Sequence, residues 1–332
     1  MSGASSSAAG WFTRLEPPHP TEEFVPRPDD PRLGQVIEPW RGRLDALRPG
    51  RAVLIGFPQD EGIIRNGGRP GAAEAPRELR RFLYRLTPWD GSSDIGLSPL
   101  PPLDAGDVRC TGGLEASQQA LAEVVAGVLR AGAVPVVLGG GHEAAFGHYL
   151  GCVAAGRRIG IVNIDAHLDV RPLLDGKGHS GSPFRQALEH PTRPLEGSHY
   201  VCLGAQPQSI SRQHLLWARQ RGCVVRWAGT LEPDLLDQEF ERFAAEACQV
   251  YVSIDADAVA MEAVPGVSAP NPAGLPANLV LAWARQAGRS PHVQSIDLVE
   301  INPRLDRDGQ SARWGALAVW HFLMGLAERN AG

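Results

Sequence analysis

Short apolar runs alternate along most of this chain with longer segments whose apolar residues recur at helical spacing. A short apolar run between turn residues is typical of a buried strand, and apolar residues three and four positions apart are typical of a helix that packs on one face. The segments interpreted as strands are Ala52–Phe57, Ala133–Leu138, the run from Ile159 to Asp165, His199–Gly204, Cys223–Trp227, Val250–Asp257 and Val293–Val299. The segments interpreted as helices are Ala72–Leu86, Glu115–Ala131, Ala144–Ala155, Phe184–His190, Ser209–Arg221, Pro233–Cys248, Pro276–Gly288 and Ser311–Glu328. This alternation predicts an α/β fold, with a mostly parallel central sheet and helices on both of its faces.

The first 50 residues lack this pattern and are rich in serine, proline and charged residues. Proline is excluded from helix interiors and central strands, and prolines cluster in Pro17–Pro20 and Pro26–Pro28. We therefore predict an irregular N-terminal arm over residues 1–50. Residues 51–332 contain no internal repeat and no evident linker, so they are predicted to form a single domain.

Composition excludes several classes of partner. The net charge of −5 and the isoelectric point of about 6.1 do not suit a nucleic-acid-binding surface. No apolar run is long enough to span a membrane, and the first residues lack the basic and apolar regions of a signal peptide. The five cysteines form no CxxC pair, so we expect free thiols. These features predict a cytoplasmic protein without nucleic-acid or membrane partners.

Residue types that bind metals follow three of the predicted strands. The set is His142, Asp165, His167, Asp169, Asp255 and Asp257. Alternate residues of an extended segment point the same way. The carboxyl ends of parallel strands also meet at one edge of a sheet, where ligands bind. We therefore expect these six side chains to converge.

Four aspartates at one place would repel one another, and some would be protonated unless cations neutralised them. Two divalent ions would provide that charge, and bridging carboxylates would let six residues serve both ions. Oxygen ligands outnumber nitrogen ligands and no cysteine takes part. Mn²⁺ therefore fits better than a thiolate-preferring metal, with Zn²⁺, Fe²⁺ or Co²⁺ as alternatives. Each motif alone could be a turn, a helix cap or a buried core histidine, but three in succession after apolar strands favour a metal centre.

These motifs resemble the three metal-binding motifs of the ureohydrolases, the family that contains arginases and agmatinases. They are Gly139–His142, Asp165–Asp169 and Ser253–Asp257, and Asp297–Pro303 resembles the later acidic motif of the family. The resemblance runs from about Val53 to the C-terminus. It implies an arginase-like three-layer α/β/α catalytic domain, two manganese ions per chain, and hydrolysis of a C–N bond in a linear amidine or guanidine. It also suggests a homo-oligomer.

Within this family the chain is most similar to the formimidoylglutamases. The segments that carry this similarity are Arg65–Arg69, Gly141–Glu143, Asp169–Arg171, Ser180–Phe184, Pro265–Pro270 and Glu300–Arg304. The resemblance implies hydrolysis of N-formimidoyl-L-glutamate to L-glutamate and formamide, a step of histidine degradation. A hydroxide between the metals would attack the amidine carbon, Asp169 would accept its proton, and Glu300 would bind the cationic amidine.

The chain departs from arginases in the loop after Asp169. Arginases carry a His-Gly pair where this chain has Ser180 and Gly181. Ser180 is therefore predicted to contact the substrate, which would differ from that of the arginases. His179 lies one residue earlier and is a candidate for the proton shuttle, against the alternative of an ordinary loop histidine.

Three arginines are candidates for substrate binding. Arg171 follows Asp169 by two positions, so it would project on the same side as the ligands. Its planar cation suits a substrate with two carboxylates and no α-ammonium group. Arg65 and Arg185 are further candidates, with ordinary solvated or acid-paired arginines as the alternative for each.

Two other functions stay open at this point. The first is a different ureohydrolase, acting on a guanidino acid, agmatine or arginine, although Ala258–Met261 replaces the Asp-Pro continuation usual in arginases. The second is a metal-binding scaffold that has lost catalysis, but the presence of all six ligands and Glu300 argues against such a loss.

Overall fold

The structure is a computed structural model that describes residues 10–18, 28–232 and 234–332. Its strands are β1 Leu15–Glu16, β2 Glu38–Pro39, β3 Ala52–Gly56, β4 Trp89–Asp90, β5 Ile95–Gly96, β6 Leu103–Val108, β7 Val134–Leu138, β8 Ile159–Ile164, β9 Tyr200–Ala205, β10 Val224–Trp227, β11 Gln249–Asp255 and β12 Val293–Val299. Within the described ranges, β4 and β5 form an antiparallel pair and the other ten form one sheet. The sheet order is β1-β6-β3-β7-β12-β11-β8-β9-β10, and β2 also pairs with β6. Every pairing in this sheet is parallel except that of β1 with β6.

Helices cover both faces of the sheet. They are α1 Leu33–Val36, α2 Glu61–Arg65, α3 Ala75–Leu83, α4 Leu114–Arg130, α5 Ala144–Ala154, α6 Pro183–Leu188, α7 Arg212–Gln220, α8 Leu235–Ala245, α9 Ala277–Arg289 and α10 Gln310–Ala331. The apolar side chains of α3, α8, α9 and α10 belong to one buried cluster, and those of α4 to α7 belong to another. Val252 and Tyr251, neighbours on β11, belong to different clusters, as the alternation of side chains along a strand requires. The predicted three-layer α/β/α fold is therefore confirmed.

The predicted strands and helices correspond to elements of the structure, with ends that differ by a few residues. The one long strand that the apolar pattern did not predict is β6, because Asp104, Gly106 and Asp107 interrupt its apolar residues. The structure buries both aspartates because Arg80 of α3 pairs with them, at 2.7 Å to Asp104 and 2.5 Å to Asp107. A second difference is α2, which lies between the predicted strand Ala52–Phe57 and the predicted helix Ala72–Leu86, where no helix was predicted.

The described parts of the N-terminal arm pack more closely on the domain than its proline content predicts. The strand β1 pairs with β6 at the edge of the sheet. Trp11 is buried and stacks on Trp40, with ring centroids 4.9 Å apart. Pro20 and Pro26 lie outside the described residues.

Among the described residues, no helix combines the length and the apolar character that crossing a membrane would require.

Candidate metal centre

Four consecutive strands of the sheet, β7, β12, β11 and β8, bring the candidate residues to one edge. His142 follows β7 after a turn of three glycines, and Glu300 follows β12. Asp255 is the last residue of β11 and Asp165 follows β8 directly. Ile254 pairs with Ile164 in the register of these two strands, so the two aspartates lie at the same level.

The six predicted metal ligands come together in two groups that share one residue. The inner group is His142, Asp165, Asp169 and Asp255, and the outer group is Asp165, His167 and Asp257. Each residue offers a nitrogen or carboxylate oxygen, and in each group these atoms lie within 4.8 Å of one another. The inner His142 is fully buried, whereas the outer His167 has 24% of its side chain exposed. This arrangement can hold two neighbouring cations with Asp165 between them.

The hydrogen bonds of His142 leave one of its ring nitrogens facing the carboxylates. Its Nε2 lies 3.0 Å from Ser253 Oγ, and that hydroxyl donates its own hydrogen to Asp297 Oδ1 at 2.6 Å, so Nε2–H is the donor to Ser253. Its Nδ1 lies 2.9 Å from an oxygen of Asp169 and 2.9 Å from one of Asp255, yet it has no hydrogen-bond partner among the residues that the structure describes. A buried polar atom in this position needs compensation. A divalent cation held by His142 Nδ1 and these carboxylates would provide that compensation.

The charges of the cluster also fit cations. Burial, followed by the charges of Asp257 and Asp165, raises the pKa of Asp255 well above its ordinary value. Burial also raises the pKa of Asp257 to about 6, and the buried Asp257 Oδ1 has no hydrogen-bond partner in the described part of the chain. In the described part of the chain, no lysine or arginine forms an ion pair with any of the four aspartates. Four carboxylates and two imidazoles, with no thiolate, are a ligand set that suits Mn²⁺.

A row of polar residues supports the ligands one layer deeper in the sheet. Asn163, Ser253 and Asp297 are paired neighbours on β8, β11 and β12. Asn163 Nδ2 donates to Asp165 Oδ2 at 2.9 Å. Asp297 accepts hydrogen bonds from Ser253 and from the Tyr251 hydroxyl. Such partners fix the orientation of metal ligands.

This supporting row was not predicted from the sequence. The available signal was spacing: Asn163 and Ser253 stand two residues before Asp165 and Asp255 on the same face of their strands.

Two of the candidate residues have unusual backbone conformations. Asp169 has φ +47° and Glu300 has φ +66°, in the left-handed region that favours glycine. The surrounding chain holds both in place, since Phe184 N–H donates to the Asp169 carbonyl at 3.2 Å and Glu300 N–H donates to the Gly140 carbonyl at 2.8 Å. Strained residues of this kind concentrate at functional sites.

Glu300 lies beside the metal ligands but outside both groups. Its Oε1 accepts the backbone N–H of His142 at 2.8 Å, and within the described residues its other oxygen has no protein partner. Burial and the negative charges of Asp255 and Glu143 raise its pKa well above the ordinary value. A cationic group placed against the free oxygen would therefore be stabilised.

The loop after Asp169 carries Arg171 and Ser180 beside the ligands. Arg171 N–H donates to the Gly181 carbonyl at 2.8 Å, and Arg171 Nη1 donates to Asn66 Oδ1 at 3.2 Å. Asn66 Nδ2 donates to Ser180 Oγ at 3.1 Å. No carboxylate of the described chain forms an ion pair with the exposed Arg171. Its charge is available to an anion.

The other two arginines predicted to bind substrate are engaged elsewhere. Arg65 pairs with Glu61 at 2.6 Å and with Glu115 at 2.5 Å, and also donates to the Gly178 carbonyl. Arg185 pairs with Glu189 at 3.0 Å and stacks over the Trp217 ring. Both cations are already paired with acids, which favours the alternative of acid-paired arginines, and their role in substrate binding stays a prediction.

The hydrogen bonds of His179 favour the alternative of a loop histidine over the predicted proton shuttle, which stays a prediction. Its Nδ1 accepts the Gly181 N–H at 3.2 Å, and its Nε2 donates to the Pro172 carbonyl at 3.0 Å. Burial lowers its pKa, in agreement with a neutral ring. Because both nitrogens bond to backbone groups, the imidazole joins the two sides of the loop.

We expect His179→Ala to lower kcat by less than about 10-fold, because the change loosens a loop without removing an acid or base. Loss of a general acid or base costs about 10²- to 10⁴-fold. Steady-state kinetics on the metal-loaded protein measure the difference. If kcat instead falls by about 100-fold or more while metal content is unchanged, the shuttle assignment would be restored.

Comparison with known proteins gives a consistent set of relatives. The model of the arginase family matches residues 50–325. A formimidoylglutamase from Geobacillus thermodenitrificans is 40% identical over 282 residues, which cover 82% of this chain and 84% of that protein. A formimidoylglutamase from Klebsiella pneumoniae is 39% identical over 310 residues, which cover 91% of this chain and 94% of that protein.

Solved structures agree with these relatives. The crystal structure of Trypanosoma cruzi formiminoglutamase with two Mn²⁺ ions has a TM-score of 0.82 and 33% identity, and the match covers 91% of this chain and all of that one. Proclavaminate amidino hydrolase from Streptomyces clavuligerus has a TM-score of 0.75 at 24% identity, covering 93% of this chain and 99% of that one. The second match supports the fold alone.

Proposed function

Because this chain belongs to the arginase family, we propose that it is a two-manganese hydrolase that converts N-formimidoyl-L-glutamate and water into L-glutamate and formamide. The formimidoylglutamases at 40% and 39% identity support this substrate. The structural observation that carries it is Arg171, an exposed cation beside the metal ligands with no carboxylate partner in the described chain. A carboxylate of the substrate would provide the ion-pair partner of the Arg171 guanidinium.

The ligand assignment follows the two groups of the metal centre. The inner group would hold one Mn²⁺ and the outer group the second, with Asp165 shared. When bound, a pair of ions of this kind supplies positive charge and an activated water at neutral pH.

The protein residues have complementary tasks. The free oxygen of Glu300 would accept N–H groups of the amidinium and hold the planar carbon over the centre. Asp169 has a second carboxylate oxygen beyond the one near His142, and it would accept the proton that the attacking water releases. As the C–N bond to the glutamate nitrogen breaks, that nitrogen takes up the proton and leaves as an amine.

An assay on a small substrate panel tests this proposal. The Mn²⁺-loaded protein is offered formimidoylglutamate, arginine, agmatine and guanidinobutyrate, and the release of formamide and urea is measured. We expect formamide from formimidoylglutamate. We also expect elemental analysis to find about two Mn²⁺ per chain, because four aspartates need about four positive charges nearby. Urea from a guanidino substrate without formamide would indicate a different ureohydrolase. No product from a fully loaded protein would indicate an inactive scaffold.

We predict that Arg171→Met lowers kcat/KM for formimidoylglutamate by about 10- to 100-fold. A charge-assisted hydrogen bond contributes about 1.5–3 kcal/mol, which corresponds to that range. Activity on the cationic agmatine, however low, should fall much less. The matched control is Arg77→Met, at an exposed position of α3. Equal losses on both substrates would mean that Arg171 supports the loop.

The proposal also includes a cytoplasmic homo-oligomer, as resemblance to the family suggests. All five cysteines are free, which suits a reducing compartment. Light scattering coupled to gel filtration measures the assembly, and a mass near that of one chain, 35.6 kDa, would contradict it.

A further inference from the structure

The side chain of Asn66 joins two residues of the loop that follows the metal ligand Asp169. Its Oδ1 accepts Arg171 Nη1 at 3.2 Å, and its Nδ2 donates to Ser180 Oγ at 3.1 Å. One amide therefore contacts two of the residues predicted to bind substrate. Asn66 is separated from Arg171 by 105 positions in the sequence, so the contact depends on the fold.

The position of Asn66 is itself fixed from both sides. Its backbone N–H donates to the Gly62 carbonyl at 3.0 Å, at the end of α2. The preceding Arg65 donates to the Gly178 carbonyl at 2.9 Å, which ties α2 to the loop that carries Ser180. Gly181 leaves room for the contact, since a Cβ there would lie 2.8 Å from Arg171 Cδ and 3.0 Å from Asn66 Nδ2.

The neutral amide of Asn66 differs in charge from the side chains that bind Arg65 and Arg185. Arg65 and Arg185 are held by carboxylates that match their charge. Arg171 is held by a neutral acceptor, which restrains the guanidinium, and no carboxylate of the described ranges pairs with its positive charge. A carboxylate at position 66 would hold Arg171 at least as firmly but would compete with an anionic ligand for it.

We propose that Asn66 is a specificity-determining positioning residue, whose amide orients Arg171 for a substrate carboxylate without neutralising it. The inference rests on the proposed function, because it assumes a dicarboxylate substrate. Through Arg171, Asn66 would favour the binding of anionic amidines over neutral or cationic ones.

Two substitutions separate this role from a merely structural one. Asn66→Asp keeps the size and shape of the side chain and adds a charge, whereas Asn66→Ala removes both hydrogen bonds. We expect Asn66→Asp to raise KM for formimidoylglutamate by about 10-fold or more, the effect of one lost charge-assisted contact. We expect a smaller rise, about threefold, for Asn66→Ala, because Arg171 keeps its charge. In both variants kcat should change by less than about threefold.

The order of the two variants is the decisive result. A structural role predicts the opposite order, since the isosteric aspartate would preserve the contacts that alanine removes. If Asn66→Asp has a wild-type KM, or if Asn66→Ala is the more impaired variant, the inference is overturned. Asn330→Asp is the matched control, because it makes the same charge change at an exposed residue bonded to the Gly50 carbonyl.

A second readout does not depend on turnover. Calorimetry measures the affinity of each Mn²⁺-loaded variant for L-glutamate, the product that carries both carboxylates, after metal content has been checked. We expect Asn66→Asp to weaken this affinity by the same factor as it raises KM. A wild type that releases no formamide overturns the proposed function. An active wild type whose two variants bind L-glutamate equally well overturns only the role of Asn66.

Discussion

We expect Asp165→Ala to lower kcat/KM by much more than 100-fold and so to abolish measurable turnover. Asp165 is the residue that belongs to both the inner and the outer group, so its loss affects both ion positions. Removing a residue that merely orients a metal ligand costs about 10- to 100-fold, and a shared ligand should cost more. The assay is formamide release at saturating Mn²⁺.

The same variant should lose the stabilisation that Mn²⁺ gives the folded protein. An ion present at 100 times its dissociation constant stabilises by about 2.7 kcal/mol, which for a chain of this length corresponds to a melting temperature about 4 °C higher for each ion. Thermal unfolding with Mn²⁺ and with EDTA measures this difference. Asp175→Ala, in an exposed part of the loop, is the control and should retain both activity and the Mn²⁺ response. Wild-type activity in Asp165→Ala would overturn the metal-centre assignment.

Asp257→Asn tests the outer group of ligands. Asp257 belongs to that group, and one of its carboxylate oxygens lies 3.3 Å from His167 Nδ1. The amide keeps the size of the side chain but removes the negative charge that favours a divalent cation. At pH 7.5 we therefore expect Mn²⁺, compared with EDTA, to raise the melting temperature of Asp257→Asn by less than that of wild type. An acid with only a structural role would leave the response to Mn²⁺ unchanged.

Glu300→Gln should lower kcat/KM by about 100-fold and leave about two Mn²⁺ per chain. Glutamine keeps the size of the side chain and an oxygen that can accept the His142 N–H, but it removes the negative charge proposed to face the amidinium. Loss of a hydrogen bond to a charged group costs about 1.5–3 kcal/mol, which corresponds to a factor of up to about 100. Kinetics and elemental analysis on the same preparation measure kcat/KM and the number of Mn²⁺ ions per chain.

The metal content decides what Glu300 does. Loss of one Mn²⁺ per chain in Glu300→Gln would place Glu300 in the ligand set, and wild-type kinetics with full metal content would remove it from substrate binding. Glu74→Gln is the control, because Glu74 makes an exposed pair with Arg304 away from the ligands. The control should match wild type in both measurements.

The sequence by itself determined the parts of this protein that follow from local periodicity. Buried parallel strands are mostly apolar, so β7, β8, β11 and β12 can be recognised in the sequence and their ends located, even though Asn163, Ser253 and Asp297 lie within three of them. Residues just beyond those ends must meet at one edge of the sheet. The six candidate ligands and Glu300 can therefore be selected from the order of residues along the chain.

The tertiary structure decided which polar residues are satisfied by distant partners. Strand β6 is buried despite Asp104 and Asp107 because Arg80 arrives from another element to pair with them. Arg65 is matched by Glu115, 50 positions away, whereas among the described residues the Arg171 guanidinium donates to the neutral Asn66, 105 positions away. His179 uses both ring nitrogens on the folded loop. The spacing of residues cannot reveal such pairings, because whether a charge or a ring nitrogen is free depends on what the completed fold places within hydrogen-bonding distance.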